Sequence, residues 1–357
     1  MNEVIQKTIQ IEENKEYVFR NSGRFCIGTG RMGLALTKEY QEQLSLVQKE
    51  IGFSHIRGHG LFCDDIGIYQ ETPEGESEYN FTYLDRVMDS YISLGLRPFL
   101  ELGFMPQKMA SGTQTIFYWK GNTTPPASYK KWTDMVTALL SHLCERYTTD
   151  EVVTWPIEVW NEPNLPGFWE NADMPEYFKL FHTTFDAIKK LDSRFLVGGP
   201  AVCGGTDEVW IRSFMEYCET NGLAVDFVTR HHYTSEPPKT QGHYSYIELM
   251  DPEDALPIFI RQERLLTVFL ALRDCQFTLR SLTLHMCQTA QFTIQIKMQH
   301  TLRISFRALV MITNHIHTGR LVMYLKSLVY RLLHFMAVLA LSQMAVFQSQ
   351  LLDICFL

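Results

Sequence analysis

Residues 156–164 read Pro-Ile-Glu-Val-Trp-Asn-Glu-Pro-Asn, and this stretch decides the fold. It begins as an apolar strand and ends in a cluster of polar residues. An amphipathic helix is predicted before it, at residues 128–147, and another after it, at residues 175–191. Because apolar strands that alternate with amphipathic helices form parallel βαβ units, this stretch indicates one repeat of an α/β fold.

The same repeat extends in both directions along the chain. Further strands are predicted at residues 25–30, 53–60, 97–104, 195–202 and 226–233, and further helices at residues 39–51, 83–94 and 206–221. Six strands in a row, each ending in polar or aromatic residues, favour a (β/α)8 TIM barrel that is cut short after about six strands. In such a barrel the active site lies at the C-terminal ends of the strands.

The strongest sign of chemistry is the run Trp-Asn-Glu-Pro-Asn at residues 160–164, where the fourth predicted strand ends. Cleavage of a glycoside needs a carboxylic acid that protonates the leaving oxygen and a second carboxylate opposite it. Glu162 is the candidate acid/base, and Asn161 beside it is placed to hydrogen-bond a sugar 2-OH. A glutamate that merely forms a salt bridge in a loop is the alternative interpretation.

Further candidate substrate-binding residues lie at the ends of other predicted strands. His231 and Tyr233 end the sixth strand and point the same way, whereas His232 points to the opposite face. His59 ends the second strand and is a candidate partner for a sugar hydroxyl. The aromatic residues Phe117, Tyr118, Trp119, Phe168 and Trp169 are candidate stacking platforms for sugar rings, although packing in loops or in the core explains each of them equally well.

Two motifs that would require a cofactor or a metal are not supported. Residues 28–33 match GxGxxG after a strand, but a dinucleotide site also needs an acid at the end of the second strand, which here ends in Arg57-Gly-His59-Gly. None of the eight cysteines is in CxxC spacing, so neither a zinc site nor a redox pair is indicated. We therefore expect no cofactor and no metal.

Composition and net charge limit the kinds of binding partner that the sequence favours. The hydrophobic share of 46% is enough for a large buried core, and the net charge of −8 does not favour a nucleic acid or an anionic membrane. The first residues are polar and show no apolar signal segment, so we expect a cytoplasmic protein. The oligomeric state is not encoded in any pattern that we can interpret.

The composition changes abruptly near residue 263. Residues 264–357 contain no Glu, Pro or Trp, two Asp and one Gly, although a barrel needs glycine and proline in its loops and acids on its helices. We predict a catalytic barrel portion at residues 1–262 and a separate apolar tail at residues 263–357. The tail has three interpretations: a membrane anchor around residues 333–347, which is short for a bilayer, a helical domain, or an out-of-frame translation.

Seven segments together resemble the β-xylosidases of glycoside hydrolase family 39. They are CIGTGRMGLAL (26–36), IRGHGLFCDDIGIY (56–69), RPFLELGFMP (97–106), FYWKGNTTPP (117–126), EVWNEPNLPGFW (158–169), VGGPAVCGG (197–205) and DFVTRHHYTS (226–235). The resemblance implies a (β/α)8 barrel of glycoside hydrolase clan A, removal of xylose from xylo-oligosaccharides, retention of configuration and no metal. It makes Glu162 the acid/base, and it maps the family's sugar-contacting asparagine, histidine and tyrosine to Asn161, His231 and Tyr233.

The resemblance also exposes what is missing. The family nucleophile is a glutamate in an ITEFNTSY-type motif that ends the seventh strand, and this chain has no glutamate after Glu263. When the tail is read in one alternative frame, permitted codons give ITEFNTSY, then SYWTFSDVFEE, then FHGGFGL, all of them motifs of the family. Methionine has a single codon, and the forced outcomes at Met298, Met323 and Met336 agree with these motifs. The sequence therefore predicts a frame change near residues 255–265.

Three functional hypotheses follow. The family function is that of a retaining β-xylosidase. Without the nucleophile this chain is predicted to be inactive, and without two of the barrel strands it is predicted to be unstable. The alternative outside catalysis is a pseudoenzyme that binds a sugar without cleaving it. The third hypothesis keeps the hydrolase chemistry and changes the sugar, to an iduronide or an arabinoside.

Overall fold

The structure, a computed structural model, describes residues 24–250 except 232, 234 and 238. His232 and the whole predicted tail, with its three interpretations, lie outside the described residues. Arg24–Glu42 and the described residues from Phe53 to Met250 belong to one compact unit, which contains the whole β-sheet described below. Gln43–Gly52, the C-terminal part of the first α-helix, is assigned to a second unit.

Strands and helices alternate along the described chain. The strands are β1 Cys26–Arg31, β2 His55–His59, β3 Tyr69–Glu71, β4 Ser77–Tyr79, β5 Arg97–Leu102, β6 Thr115–Ile116, β7 Gly121–Asn122, β8 Pro156–Val159, β9 Leu196–Val202, β10 Phe227–Arg230, β11 Lys239–Gln241 and β12 Tyr244–Tyr246. The α-helices are α1 Lys38–Ile51, α2 Thr82–Ser93, α3 Tyr129–Tyr147, α4 Thr149–Val152, α5 Met174–Leu191 and α6 Asp207–Thr220, and short 3-10 helices span Met32–Leu36 and Glu170–Ala172.

Six of these strands form one parallel sheet in the order β1-β2-β5-β8-β9-β10, which is also their order along the chain. In a flat sheet, β5 and β10 would lie about 14 Å apart, because neighbouring strands are about 4.8 Å apart. The rings of Phe99 on β5 and Phe227 on β10 nevertheless meet edge to face with their centroids 5.6 Å apart. The sheet is therefore curved into a half-barrel, and the predicted (β/α) barrel of about six strands is confirmed.

Helix α5 illustrates how the sequence specifies the helices that pack outside the sheet. The Asp173 side chain caps its N-terminus by accepting a hydrogen bond from the backbone N–H of Glu176, at 3.0 Å. Lysines in its last turn lie at the negative end of the helix dipole. Its apolar residues recur every three or four positions and are buried: Tyr177, Phe178, Leu180, Phe181, Phe185 and Ile188. The helix therefore packs on the half-barrel through this apolar face.

Three small antiparallel hairpins are inserted into the loops that follow the sheet strands: β3–β4, β6–β7 and β11–β12. The first two come after β2 and β5, and the third comes after β10. Because the sheet is parallel, all of these insertions lie at the end of the half-barrel where its strands terminate. No helix in the described part of the chain is both long enough and apolar enough to cross a membrane.

Candidate active site

Glu162 lies just beyond β8, in backbone that departs from strand geometry. Trp160 and Glu162 have φ angles of 73° and 46°, in the left-handed region that side chains other than glycine and asparagine rarely adopt. Hydrogen bonds hold this conformation: the Glu162 N–H donates to the Ala201 carbonyl at 2.9 Å, and the Leu165 N–H donates to the Glu162 carbonyl at 3.0 Å. Such strained backbone concentrates at functional sites, because the surrounding structure must maintain it.

Two side chains from beyond β10 bind the same oxygen of Glu162. Nδ1 of His231 lies 2.6 Å from Oε1 of Glu162, and the Tyr233 hydroxyl donates to that oxygen at 2.9 Å. The His231 backbone N–H is itself fixed to the Val202 carbonyl at 2.7 Å. Glu162 is 4% exposed, whereas Tyr233 is 37% exposed, so the carboxylate is buried and its tyrosine partner reaches the surface. The structure thus brings together three of the six predicted site residues.

The surroundings of Glu162 stabilise its charged form. Burial alone would raise the pKa of this carboxyl. The hydrogen bond from His231, the charge of that ring when protonated, the Tyr233 hydroxyl and the charge of His59 outweigh burial, so the pKa of Glu162 is lowered below its ordinary value. At neutral pH, Glu162 is therefore an ionised, buried and hydrogen-bonded carboxylate.

A buried ion network lies under the site and connects β2, β5 and β8. Arg57 is 2.7 Å through Nε from Glu158 Oε2 and 2.9 Å through Nη2 from Glu101 Oε2. Nη2 of Arg57 also donates to Oδ1 of Asn161 at 3.0 Å. Nδ1 of His59, which was predicted to bind a sugar hydroxyl at the end of the second strand, lies 2.7 Å from Oε2 of Glu101. One guanidinium therefore binds two buried carboxylates and orients the predicted sugar-binding asparagine.

Sequence reasoning missed Arg57, Glu101 and Glu158. One signal in the sequence could have revealed them, because each is a charged residue inside a short apolar strand. Such a side chain must face either solvent or a partner of opposite charge inside the barrel. The pairing itself was not readable, because Arg57 and Glu158 are 101 positions apart.

Asn164, the last residue of the WNEPN run, ties two site loops together. Its Nδ2 donates to the Cys203 carbonyl at 2.9 Å and to Oγ1 of Thr206 at 3.1 Å, and its Oδ1 accepts from the Cys203 N–H at 2.9 Å. Burial and the neighbouring charge of Glu162 raise the pKa of the Cys203 thiol to about 12. This cysteine is therefore a neutral thiol next to the carboxylate, and the loops after β8 and β9 are held as one piece.

Four of the five predicted aromatic candidates divide into two groups, whereas Tyr118 is 73% exposed and makes no ring contact with another described residue. Trp169 is fully buried and packs edge to face on Trp160 at 5.0 Å, so it belongs to the core and cannot serve as a stacking platform. Phe168 instead meets Phe117 edge to face at 5.5 Å, and Phe117 stacks on Trp119 at 4.9 Å. We call Phe104, Phe117, Trp119 and Phe168 the aromatic shelf.

Fold and site together define a class of protein. A curved sheet of parallel strands with a hydrogen-bonded glutamate at the end of its fourth strand is the arrangement of (β/α)8-barrel glycoside hydrolases. A sequence profile described as "Glycosyl hydrolases family 39" matches residues 7–272. The chain belongs to this family, and the resemblance predicted from the sequence is confirmed.

Several relatives are β-xylosidases. The chain is 53% identical over 259 residues to a β-xylosidase of Geobacillus stearothermophilus, covering 71% of this chain and 51% of the relative. It is 40% identical over 211 residues to one of Caldicellulosiruptor saccharolyticus, covering 59% and 43%. The crystal structure of a monomeric β-xylosidase from Caulobacter crescentus CB15 superposes with a TM-score of 0.63 at 39% identity, covering 67% of this chain and 48% of that one. The chain spans about half the length of the curated relatives it matches.

Proposed function

We propose that the described half-barrel carries the proton-donor half of a glycoside-cleaving centre for β-xylosides, with Glu162 as its acid/base. The single observation that supports this most strongly is the shared binding of Glu162 Oε1 by His231 and Tyr233 at the open end of the barrel. Two hydrogen-bonding groups and the charge of His59 act on this one carboxylate, which is more than a structural loop glutamate requires. The choice of xylo-oligosaccharides as the substrate rests on the relatives that are named β-xylosidases.

The remaining predicted site residues receive distinct roles in this proposal. Arg57 occupies Oδ1 of Asn161, so the amide of Asn161 offers its Nδ2 as the donor to a sugar 2-OH. Glu101 holds Nδ1 of His59, so that ring offers Nε2 to a second hydroxyl. Phe168 offers an apolar surface at the rim. Each of these contacts is fixed from behind by a buried partner, which is how a preorganised binding site is built.

Retention of configuration needs a second carboxylate about 5–5.5 Å from the acid/base. Glu101 and Glu158 are the buried carboxylates beneath Glu162, and Arg57 already binds both of them. The predicted nucleophile motif is missing from the sequence, in which Glu263 is the last glutamate. We therefore expect no glycosyl-enzyme intermediate and no turnover by this chain. Release of a nitrophenolate from an aryl β-xyloside, abolished by Glu162→Gln, would contradict this expectation.

The alternative function is sugar binding without cleavage. The observation that favours it is the lowered pKa of Glu162, which leaves a carboxylate suited to accept hydrogen bonds from sugar hydroxyls. Thermal unfolding of the full chain with xylose, xylobiose, an arabinoside and an iduronide separates the hypotheses. Stabilisation by xylobiose without release of xylose supports binding alone, and stabilisation only by another sugar would change the assigned ligand.

We also propose that the reading frame changes near residues 255–265, which would account for both the missing nucleophile motif and the change in composition. Sequencing the coding DNA around these codons tests the proposal. A one-base insertion or deletion relative to a frame that encodes ITEFNTSY supports it, and a coding sequence in which no frame contains that motif contradicts it.

A further inference from the structure

The aromatic shelf borders the site at its β5 side. The ring of Phe117 stacks on the ring of His59, with the centroids 5.8 Å apart and the planes 27° apart. The charge of His59 also contributes to the lowered pKa of Glu162, so this histidine is near the carboxylate as well as in contact with the shelf. The shelf is therefore continuous with the proposed sugar site.

The shelf is held rigidly from below. Phe104 is fully buried and meets Phe117, Trp119 and Phe168 with centroid separations of 6.2, 5.7 and 6.3 Å. The guanidinium of Arg31 covers Trp119 at 5.1 Å from its ring centroid. A Cβ on Gly121 would lie 2.6 Å from Trp119 and 2.8 Å from Phe104, so only glycine fits where these two rings pass the backbone.

Phe117 keeps part of its ring free at an energetic cost to the backbone. It lies in the turn between β6 and β7 with a φ of 62°, and Lys120 in the same turn has a φ of 54°. The Lys120 N–H donates to the Phe117 carbonyl at 3.1 Å, which closes the turn. Phe117 is 39% exposed although it contacts four aromatic rings. Strain that presents an apolar ring to solvent is typical of a binding surface rather than of a loop.

We propose that Phe117, with Phe168 beside it, is the platform for the ring of the leaving group, which makes this pair a determinant of specificity for aryl or pyranosyl β-xylosides. The proposal rests on the proposed function of Glu162. The inner part of the site is polar and buried, with Asn161, Arg57 and Glu101, and suits the hydroxyl-rich xylose ring.

The position of the platform relative to Glu162 indicates that it contacts the leaving group rather than the xylose ring. The Leu165 N–H donates to the Glu162 carbonyl at 3.0 Å, and the Phe168 N–H donates to the Leu165 carbonyl at 2.9 Å, so Phe168 is carried by the turn that begins at the acid/base. The oxygen that receives the proton from Glu162 is the one that joins the xylose to the leaving group. A ring bonded to that oxygen and directed outward meets the exposed shelf.

The test compares the binding of phenyl β-D-xyloside and methyl β-D-xyloside to the full chain by titration calorimetry. One aromatic contact corresponds to about a 2- to 10-fold tighter dissociation constant for the phenyl ligand. Phe117→Ala should abolish this preference and leave the affinity for the methyl ligand unchanged. Phe117→Leu keeps apolar volume without an aromatic face, and it should reduce the preference without destabilising the loop.

Tyr118→Ala is the matched control, because Tyr118 is the next residue in the same turn, is 73% exposed and makes no ring contact with any other described residue. It should keep the preference of the parent chain. The platform is overturned if the parent binds both ligands equally, if Phe117→Ala keeps the preference, or if Phe117→Ala and Phe117→Leu weaken both ligands alike while circular dichroism shows folded protein. If the parent binds neither xyloside, the proposed sugar site is itself refuted, and the platform with it.

Discussion

Replacing His231 with phenylalanine should raise the pKa of Glu162. The substitution keeps a ring of similar size and removes the 2.6 Å hydrogen bond to Oε1 and the charge of the imidazolium. A hydrogen bond to a charged group contributes about 1.5–3 kcal/mol, and one pKa unit corresponds to about 1.4 kcal/mol, so we expect a rise of about one to two units. Burial, which already opposes ionisation of Glu162, is then opposed by the Tyr233 hydroxyl and the charge of His59 without the help of His231.

The same substitution should weaken the contribution of Glu162 to the pH dependence of stability. In the parent chain the folded pKa lies below the unfolded value, so Glu162 stabilises the fold above the unfolded pKa of about 4.3, and this stabilisation is lost as pH falls through the folded pKa. In His231→Phe the folded pKa rises toward the unfolded value. The stabilisation by Glu162 above about pH 4.3 should therefore be smaller, and less of it should be lost as pH falls.

The direct assay is a carbon-13 NMR titration of the glutamate side-chain carboxyls, in which Glu162→Gln identifies the resonance of Glu162. Tyr233→Phe removes the longer bond of 2.9 Å, and it should raise the pKa by a smaller amount. His243→Phe serves as the control, because His243 is exposed on the hairpin that follows β10 and makes no recorded contact with Glu162. An unchanged or lower pKa in His231→Phe would refute the assignment of His231 as the group that stabilises the carboxylate.

Three further substitutions test the framework of the site by urea unfolding. Arg57→Met should cost about 3–5 kcal/mol, because it leaves two buried carboxylates without their cation, and an unchanged midpoint would contradict the network. Gly121→Ala should cost about 1–3 kcal/mol through overpacking, whereas Gly30→Ala, which has no atom within 4 Å of the added Cβ, should change stability by less than about 0.5 kcal/mol. Asn164→Ala should cost about 1–3 kcal/mol by releasing the Cys203 backbone, and no loss of stability would show that the two loops are held independently.

The sheet strands and the long helices were predictable because their apolar periodicity is strong. The predicted strands at 156–164 and 226–233 nevertheless end early, at Val159 and Arg230. In the first case the cause is the left-handed backbone at Trp160 and Glu162, which leaves the extended region just where the chemistry begins. The hairpin strands were missed because segments of two or three residues carry no measurable period.

The site was partly predictable for a geometric reason. In a parallel barrel every strand ends at the same face, so residues after β8 and β10 must converge, and Glu162, His231 and Tyr233 do. The buried ion network of Arg57, Glu101 and Glu158 was not predictable, because an arginine inside the barrel can pair with a carboxylate on any strand. The position of Phe117 was equally hidden, since its exposure depends on a strained turn and on Gly121 rather than on its own residue type.

The direction of the Glu162 pKa bears on what the half-barrel can do alone. A general acid must hold its proton at the working pH, and in a two-carboxylate centre the negative charge of the second carboxylate raises the pKa of the first. The groups that act on Glu162 within the described residues are instead a histidine hydrogen bond, a tyrosine hydroxyl and a second histidine, and all three lower that pKa. These donors are suited to an acid/base that faces an anionic nucleophile, because they offset the rise that such a neighbour would cause. Without that neighbour they hold Glu162 ionised. On the proposed function, the described half of the site therefore accepts hydrogen bonds, and Glu162 would donate a proton only if a second carboxylate were supplied.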